Sequence, residues 1–259
     1  MLVLTLVVAL QLAYLLGVQT QWRRGRHWSA WRLAAFLAGA GVLLVAVSPP
    51  LMFHAHQDLR WHMQQHLLLG MFAPLLLVLA APLTLLLRSL SVPTARALVR
   101  LLRSGPLRLL GHPLTALLLN VGGMYLLYLT PLYAATLNAP LLHVLVHWHF
   151  LAAGCLFTWA ILAGPDPAPQ APGPWLRLGV LFVSMAAHAT LGKLMYGFGW
   201  PRGTHHGAEE IQTAAQLMYY GGDLAELLLV IALFATWRQP LGSASGNRHW
   251  PLRISSRGR

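Results

Sequence analysis

Long apolar stretches alternate with short polar segments along this chain, and the apolar stretches determine the predicted architecture. Each has about the 20 residues that an α-helix needs to cross the hydrocarbon core of a bilayer. In chain order they are residues 2–19, 33–52, 62–87, 113–135, 140–163, 176–199 and 211–236. The third contains Pro74 and Pro82, which predict a kink or a tilted, partly interfacial start. The pattern predicts an all-α integral membrane protein, a bundle of about seven transmembrane helices.

The basic residues lie mainly on one face of this bundle. Of the 18 Lys and Arg residues, only Arg60, Arg202 and Lys193 fall elsewhere. The others are Arg23, Arg24, Arg26, Arg32, Arg88, Arg96, Arg100, Arg103, Arg108, Arg177, Arg238, Arg248, Arg253, Arg257 and Arg259. Because cytoplasmic loops carry the excess of Lys and Arg, we expect the N-terminus outside and the C-terminus in the cytoplasm.

Composition supports a membrane location and limits the chemistry. Hydrophobic residues make up 57% of the chain and charged residues 9%, whereas soluble domains carry about 25% charged residues. The net charge of +12 lies in the membrane-flanking loops, so the lipid bilayer is the expected partner and nucleic acid is not. The single cysteine, Cys155, excludes a multi-cysteine zinc or iron–sulfur site. Any metal would depend on His, Met and carboxylate.

Three polar or mixed segments complete the predicted organisation. We expect one transmembrane helical domain over residues 1–240 and a basic, disordered cytoplasmic tail over residues 241–259. Residues 89–110 alternate Arg with Leu and Val, which predicts an amphipathic helix on the inner leaflet, attracted to anionic lipid. Residues 164–174 are a Pro-rich stretch and predict an extended, mobile linker.

The histidines concentrate at the outer ends of the predicted helices. His62 and His66 are one turn apart, as are His143 and His147, and residues at this spacing share a helix face with Cβ atoms about 5–6 Å apart. Imidazole is the commonest transition-metal ligand. The two pairs therefore predict a metal site with up to four nitrogen ligands, unless they serve only as hydrogen-bonding residues between helices.

Further candidate ligands lie at similar depth. A shallower group of histidines could capture an ion or could simply be solvated, and methionines could add thioether sulfur. These candidates are His54, His56, His205 and His206, with Met52, Met63 and Met195. Because His combined with Met favours copper, particularly Cu(I), copper is the expected ion.

A second polar group lies deeper in the predicted bundle. Its members are His188, Lys193, Tyr219, Asp223 and Glu226. Ionisable side chains at this depth are costly and need partners. We expect Asp223 to pair with His188 or Lys193, either as a structural ion pair or as part of an ion path. The adjacent Gly221 and Gly222 would allow a close helix contact there.

The chain resembles the CtaG family of membrane proteins, assembly factors for caa(3)-type cytochrome c oxidase, over about residues 45–240. The resemblance lies in the order and spacing of three stretches, HMQQHLLLGMFAPLLLVLAAPLTLLLR, HVLVHWHFLAAGCLFTWAILAGPDP and AAQLMYYGGDLAELLLVIALFATW. The positions that match the motifs of the family are His62, His66, Pro74, Pro82, His143, His147, Gly221, Gly222 and Asp223.

This resemblance implies a function in the bacterial inner membrane. It implies a role in maturing the haem–copper oxidase, at the copper-loading stage on the outer side, with oxidase subunits as partners. A thiolate transfer mechanism is disfavoured because Cys155 has no neighbouring cysteine.

Two other classes of function stay open. A b-haem protein would bind its iron between histidines of two helices, and a transporter or proton path would use the deeper polar group. An enzyme is not expected, because the sequence has neither a recognisable nucleophile with its base nor a phosphate-binding loop.

Overall fold

The computed structural model describes residues 2–166 and 172–237, which form thirteen α-helices and one π-helical turn, with no strand among them. In chain order the helices are α1 (Leu2–Arg23), α2 (Ala30–Ala46), α3 (Pro49–Gln57), α4 (Leu59–Leu67), α5 (Ala73–Leu79), α6 (Pro82–Ser89), α7 (Val92–Leu102), α8 (Gly105–Leu110), α9 (Pro113–Tyr128), α10 (Leu132–Asn138), α11 (Pro140–Leu162), α12 (Pro174–Phe198) and α13 (Ala208–Trp237). The π-helical turn, Leu68–Phe72, joins α4 to α5.

Several of these helices are long and apolar enough to cross a membrane. Among the described residues there are four such spans, Leu59–Leu79, α11, α12 and α13, by length and composition. The number rises to six if two bent pairs each count as one span, α2 with α3 (49°) and α9 with α10 (74°). Large apolar side chains such as Leu118 and Phe182 are exposed, as expected where helices face lipid. A multi-pass helical membrane protein is thus confirmed in outline, whereas seven spans and the orientation of the termini stay predictions.

The third predicted span differs from the structure at its end. Its continuous helix ends at Leu79, and Pro82 begins a separate helix, α6. Ala81 adopts a left-handed conformation with φ of 54°, and Pro82 has no N–H to donate to a helical carbonyl. Together these two residues interrupt the helix that apolar composition alone extends to residue 87.

Pro74 does not interrupt the same span. It is the second residue of α5, directly after the π-helical turn. The preceding π-helical turn admits one extra residue, because Ala73 donates its N–H to the carbonyl of Leu68, five residues earlier. The predicted irregularity at this proline is therefore a local widening of the helix just after His66.

The predicted amphipathic helix over residues 89–110 consists of two helices. α7 and α8 are separated at Arg103 and Ser104, and neither contains a buried residue. Of the predicted linker, residues 167–171 lie outside the described residues, as does the tail over residues 241–259.

Close helix contacts in the core depend on small residues, as is usual where lipid tails remove the hydrophobic drive for association. A Cβ atom at Gly154 of α11 would overlap the backbone carbonyl oxygen of Gly70. At Gly221 it would press on Leu67 of α4, and at Gly222 on the ring of His188. The glycine pair of α13 therefore permits the close contact that the sequence predicted.

The described part of the Pro-rich loop is attached to the bundle through Asp166. The carboxylate of Asp166 is buried, and it accepts hydrogen bonds from the backbone N–H groups of Leu83 (2.8 Å) and Thr84 (2.7 Å). These donors belong to the first turn of α6, so the side chain caps that helix and complements its dipole. Trp159 also donates its indole N–H to the Asp166 carbonyl, at 3.1 Å. The start of the loop is thereby fixed.

We expect Asp166→Ala to destabilise the protein by about 2 kcal/mol, because two buried backbone donors would lose a charged acceptor. Thermal unfolding of the purified protein in detergent measures this change. Asp166→Asn keeps one oxygen acceptor and should lose less. Equal stability of both variants and the parent would contradict the capping role.

Candidate metal centre

The two predicted histidine pairs lie on helices that pack directly against each other. His62 and His66 belong to α4, and His143 and His147 belong to α11. The close approach of Gly154 to the Gly70 carbonyl brings α11 against the π-helical turn that follows His66. The contact between these two spans, on which a shared site depends, is therefore present.

Four histidine rings form a cluster where α3, α4 and α11 meet. The ring centroid of His62 lies 6.5 Å from that of His143 and 6.1 Å from that of His147. The rings of His143 and His147 are 4.2 Å apart, and His56 lies 4.1 Å from His143 on the exposed side. His66 is one turn further along α4, where its ring packs against Tyr128 and Phe150.

Several of these buried nitrogen atoms have no hydrogen-bond partner. This holds for both ring nitrogens of His62, both of His66, and Nε2 of His143. A buried polar atom without a partner costs roughly 1–3 kcal/mol, and such atoms in folded proteins call for a specific explanation, often a water or an ion. Three histidines of the predicted site thus present free donors or lone pairs in the protein interior.

His147 is held by two oxygen atoms. Its Nδ1 lies 2.8 Å from the backbone carbonyl oxygen of His143, and its Nε2 lies 2.9 Å from Oε1 of Gln65. The amide nitrogen of Gln65 donates to the Ala46 carbonyl at 2.7 Å, which fixes Oε1 toward the ring. A neutral imidazole has only one N–H, so it can satisfy only one of the two oxygens. At the other ring nitrogen, the lone pair of the imidazole then faces a lone pair of the oxygen. If that nitrogen is Nε2, a cation bound near it would remove this repulsion.

A small cavity lies beside this cluster. Its volume is about 30 Å³, and its wall includes Gln65, His143, His147 and Met52. This is enough space for a water molecule or a single ion. Met52 is therefore the methionine that borders the cavity.

A second of the three predicted methionines, Met63, is packed in the core. It is fully buried, and its sulfur lies 4.0 Å from the hydroxyl of Tyr128, which donates to it. Its role as a metal ligand stays a prediction.

The shallower histidines fall into two separate places. His54 is exposed and packs against Phe53 and Trp61, away from the ring cluster. His205 is exposed and stacks near His206, at 4.5 Å between ring centroids. Of the four, only His56 contacts a ring of the cluster directly.

His206 connects to the cluster through Tyr133. Its Nε2 lies 3.2 Å from the hydroxyl of Tyr133, whose ring contacts His62 at 4.8 Å. On its other side, Nδ1 lies 2.7 Å from Oε1 of Glu210, an oxygen that also accepts the backbone N–H of Leu59 at 2.6 Å. Burial lowers the pKa of His206, and the negative charge of Glu210 partly offsets this effect.

The deeper polar group is arranged differently from the expected pairing. The carboxylate of Glu226 lies 3.9 Å from Nδ1 of His188, and both side chains are buried. Lys193 is exposed and lies over the ring of Tyr219 at 5.6 Å. Asp223 is only half-buried, and no ion pair links it to His188 or Lys193 among the described residues. The buried partner of His188 is therefore Glu226.

The donor set can be tested against a metal ion. In their present positions, no three His, Cys, Asp or Glu side chains in residues 2–166 and 172–237 could hold one metal ion together. With metal–nitrogen bonds of about 2.0–2.1 Å, two imidazoles on one tetrahedral ion have ring centroids about 5 Å apart. The separations of 4.2, 6.1 and 6.5 Å among His62, His143 and His147 all differ from this value, so the rings would have to move to share an ion. The unpartnered imidazole nitrogens are of the donor type that transition metals prefer, but their present positions in the described residues form no shared site.

Two tyrosines and one glutamine of this site were not among the predicted site residues. Tyr128 and Tyr133 cover His62, and Gln65 positions His147. For the two tyrosines, the only signal in the sequence was their predicted depth, because both fall at the outer end of the fourth predicted span. Gln65 lies on the same helix stripe as His62 and His66.

Fold and site together define a multi-pass helical membrane protein with a buried cluster of histidines. Comparison with protein-family models is more specific. Residues 12–240 match the model described as cytochrome c oxidase caa3 assembly factor (Caa3_CtaG). The chain belongs to this family, and the resemblance noted in its sequence is confirmed.

Curated relatives are themselves described as uncharacterized proteins. The chain is 39% identical over 193 residues to such proteins of Mycobacterium bovis and Mycobacterium tuberculosis, and 35% identical over 192 residues to one of Mycobacterium leprae. Each alignment covers 71% of this chain but 29% of the relative, so the relatives have a much longer sequence around the shared region. No solved structure matches.

Proposed function

We propose that this protein is a bacterial inner-membrane assembly factor that helps load copper into cytochrome c oxidase. Membership in the family supports the assembly role. The observation that carries the copper role is the pairing of two helices whose buried imidazoles lack hydrogen-bond partners. The role is non-catalytic, and the partner is an oxidase subunit.

In this proposal, copper binds transiently at the cluster. The binding residues are His62, His66, His143 and His147, with Met52 at the cavity wall. His56 lies at the exposed side of the cluster, so in this proposal it is the first of the clustered histidines to meet an incoming ion. The shallower histidines His54, His205 and His206 capture ions in two separate places nearby. Copper supplies the metal for the oxidase centre, while the chain binds it, excludes bulk water and releases it.

The distribution of the arginines supports the proposed orientation in the membrane. The histidine cluster lies at one end of the bundle, and most basic residues lie at the other. With the basic end in the cytoplasm, the cluster faces the extracytoplasmic compartment, the N-terminus is outside and the C-terminus is inside.

Copper suits the site better than haem. The cavity beside His143 and His147 has a volume of about 30 Å³, which is room for one small ligand and not for a porphyrin. The four histidines also come in pairs on each helix, whereas a haem iron needs one axial nitrogen from each side.

We expect the double variant His62→Leu/His66→Leu to lose bound Cu(I) by about tenfold or more while keeping its thermal stability. Both residues are buried with unpartnered nitrogens, so replacing them with apolar side chains removes ligands without breaking a hydrogen bond. Copper content after purification under reducing conditions, and thermal unfolding in detergent, measure the two effects.

The matched control is His27→Leu/His112→Leu, because both residues lie at the basic end of the bundle. It should retain copper. Unchanged copper content in the His62/His66 variant would remove these residues from the proposed mechanism, and collapse of the fold would indicate a structural role instead.

A further inference from the structure

Four arginines surround an open cavity at the basic end of the bundle, far from the histidine cluster. Arg24 and Arg26 come from the turn after α1, Arg88 from the end of α6 and Arg96 from α7. The cavity has a volume of about 550 Å³, and Leu87 and Val99 contribute to an apolar part of its wall.

The frame of this cavity is fixed by contacts between α1 and α6. The guanidinium of Arg24 donates to the backbone carbonyl of Arg88 at 3.2 Å, and Gln21 donates its amide N–H to the hydroxyl of Ser89 at 3.2 Å. Gly25 turns the chain with φ of +67°, a conformation that glycine adopts readily. Arg88 also lies over the ring of Trp28, at 5.8 Å. Three of the four arginines therefore come from a preformed corner of the fold.

Within residues 2–166 and 172–237, no carboxylate forms an ion pair with these arginines. The sequence contains only six acidic residues, and all of them belong to the described residues. Asp166 is the one that comes closest to this end of the bundle, and it is buried and occupied with α6. The others are Asp58, Glu209 and Glu210 at the histidine end, and Asp223 and Glu226 in α13. Four positive charges thus line one cavity, and no carboxylate in the part of the chain that the structure describes pairs with them.

The matching ligand chemistry is a phosphate group attached to an apolar tail. The guanidinium fork matches phosphate oxygens in pairs, and a basic pocket at the cytoplasmic side of a membrane protein suits anionic headgroups. The exposed, amphipathic α7 contributes both Arg96 and the apolar Val99. We propose that Arg24, Arg26, Arg88 and Arg96 form a binding site for the phosphate of an anionic phospholipid. The site is independent of the proposed copper function.

The test uses the full chain, delipidated in a nonionic detergent, with short-chain phosphatidylglycerol as the probe. Because a ligand that binds only the folded state stabilises it, thermal unfolding against lipid concentration reports affinity. We expect Arg24→Gln/Arg96→Gln to bind this lipid about tenfold more weakly than the parent, since two charge-assisted contacts are lost.

The matched control is Arg100→Gln/Arg103→Gln. It also removes two positive charges, from exposed arginines that follow Arg96 in the chain and do not line the cavity. It should bind the lipid as the parent does. Equal weakening in both double variants would overturn the proposal, because binding would then follow net charge alone. If Arg24→Gln/Arg96→Gln does not fold, the single variant Arg26→Gln is tested in its place, because the Arg26 side chain is exposed.

A second arm replaces the lipid with inorganic phosphate. We expect little stabilisation, since free phosphate gains nothing from Leu87 and Val99. Stabilisation by inorganic phosphate equal to that by the lipid would show that the site takes a free anion, and it would overturn the lipid assignment.

Discussion

Gly154→Ala should destabilise the protein by about 3 kcal/mol, near the upper end of the usual cost of overpacking. The added methyl group would overlap the carbonyl oxygen of Gly70 and approach the ring of Pro74. A backbone oxygen cannot rotate away as a side chain can, so α11 would have to move away from the π-helical turn. Because this contact brings the two histidine pairs together, copper binding should fall as well. Thermal unfolding and copper content of the purified variant measure the two effects.

The control is Gly179→Ala in α12, where an added Cβ would meet nothing within 4 Å. That variant should keep its stability or gain slightly, since alanine is a better helix former than glycine. If Gly154→Ala unfolds at the same temperature as Gly179→Ala, the close approach of α11 to the Gly70 carbonyl does not limit stability.

The sequence predicts which histidines share a helix face, because the spacing of four residues is a local property. It does not predict that α4 and α11 are neighbours, since this depends on packing between residues about 80 positions apart. Two signals of that packing were present, Gly70 followed by Pro74 in one helix and Gly154 in the other. Neither identifies its partner without the three-dimensional structure.

Helix ends are predicted less well than helix interiors in this chain. Apolar composition continues from Leu79 across Ala80 and Ala81 to Pro82, so the third span is predicted to be continuous. The break depends on the left-handed φ of 54° at Ala81, a conformation that alanine seldom adopts. Tertiary contacts maintain it, including the hydrogen bond from the hydroxyl of Tyr14 to the Ala80 carbonyl at 2.9 Å.

The deeper polar group shows how a helical stripe can mislead. Gln212, Gln216, Tyr219, Asp223 and Glu226 fall on one predicted stripe of the helix, and Asp223 is the member that we expect to need a buried partner. The two glutamines are exposed, however, and Tyr219 and Asp223 are only half-buried. Three residues further along α13, Glu226 faces the interior beside His188. The periodicity places both carboxylates on one stripe of the helix, but packing decides that Glu226, and not Asp223, is buried.

In cells, replacing the protein with His62→Leu/His66→Leu should yield a cytochrome c oxidase that contains haem but lacks copper. We expect the ratio of copper to haem in the purified oxidase to fall about tenfold or more, as when metal-site residues are lost. We expect the assembly factor to persist in the membrane, since the substitutions remove no hydrogen bond of either imidazole, but to be unable to hold the ion. Metal analysis of the oxidase, with its haem measured by absorbance, gives the ratio.

Added copper separates a loading defect from a folding defect. If the variant fails only to deliver copper, excess copper in the medium should restore part of the oxidase activity, because mass action can replace a lost binding site. Cells carrying His27→Leu/His112→Leu should assemble normal oxidase without supplementation. An oxidase that loses haem and copper together would place the protein at an earlier step of assembly, and one with full copper would show that the histidine cluster serves another purpose.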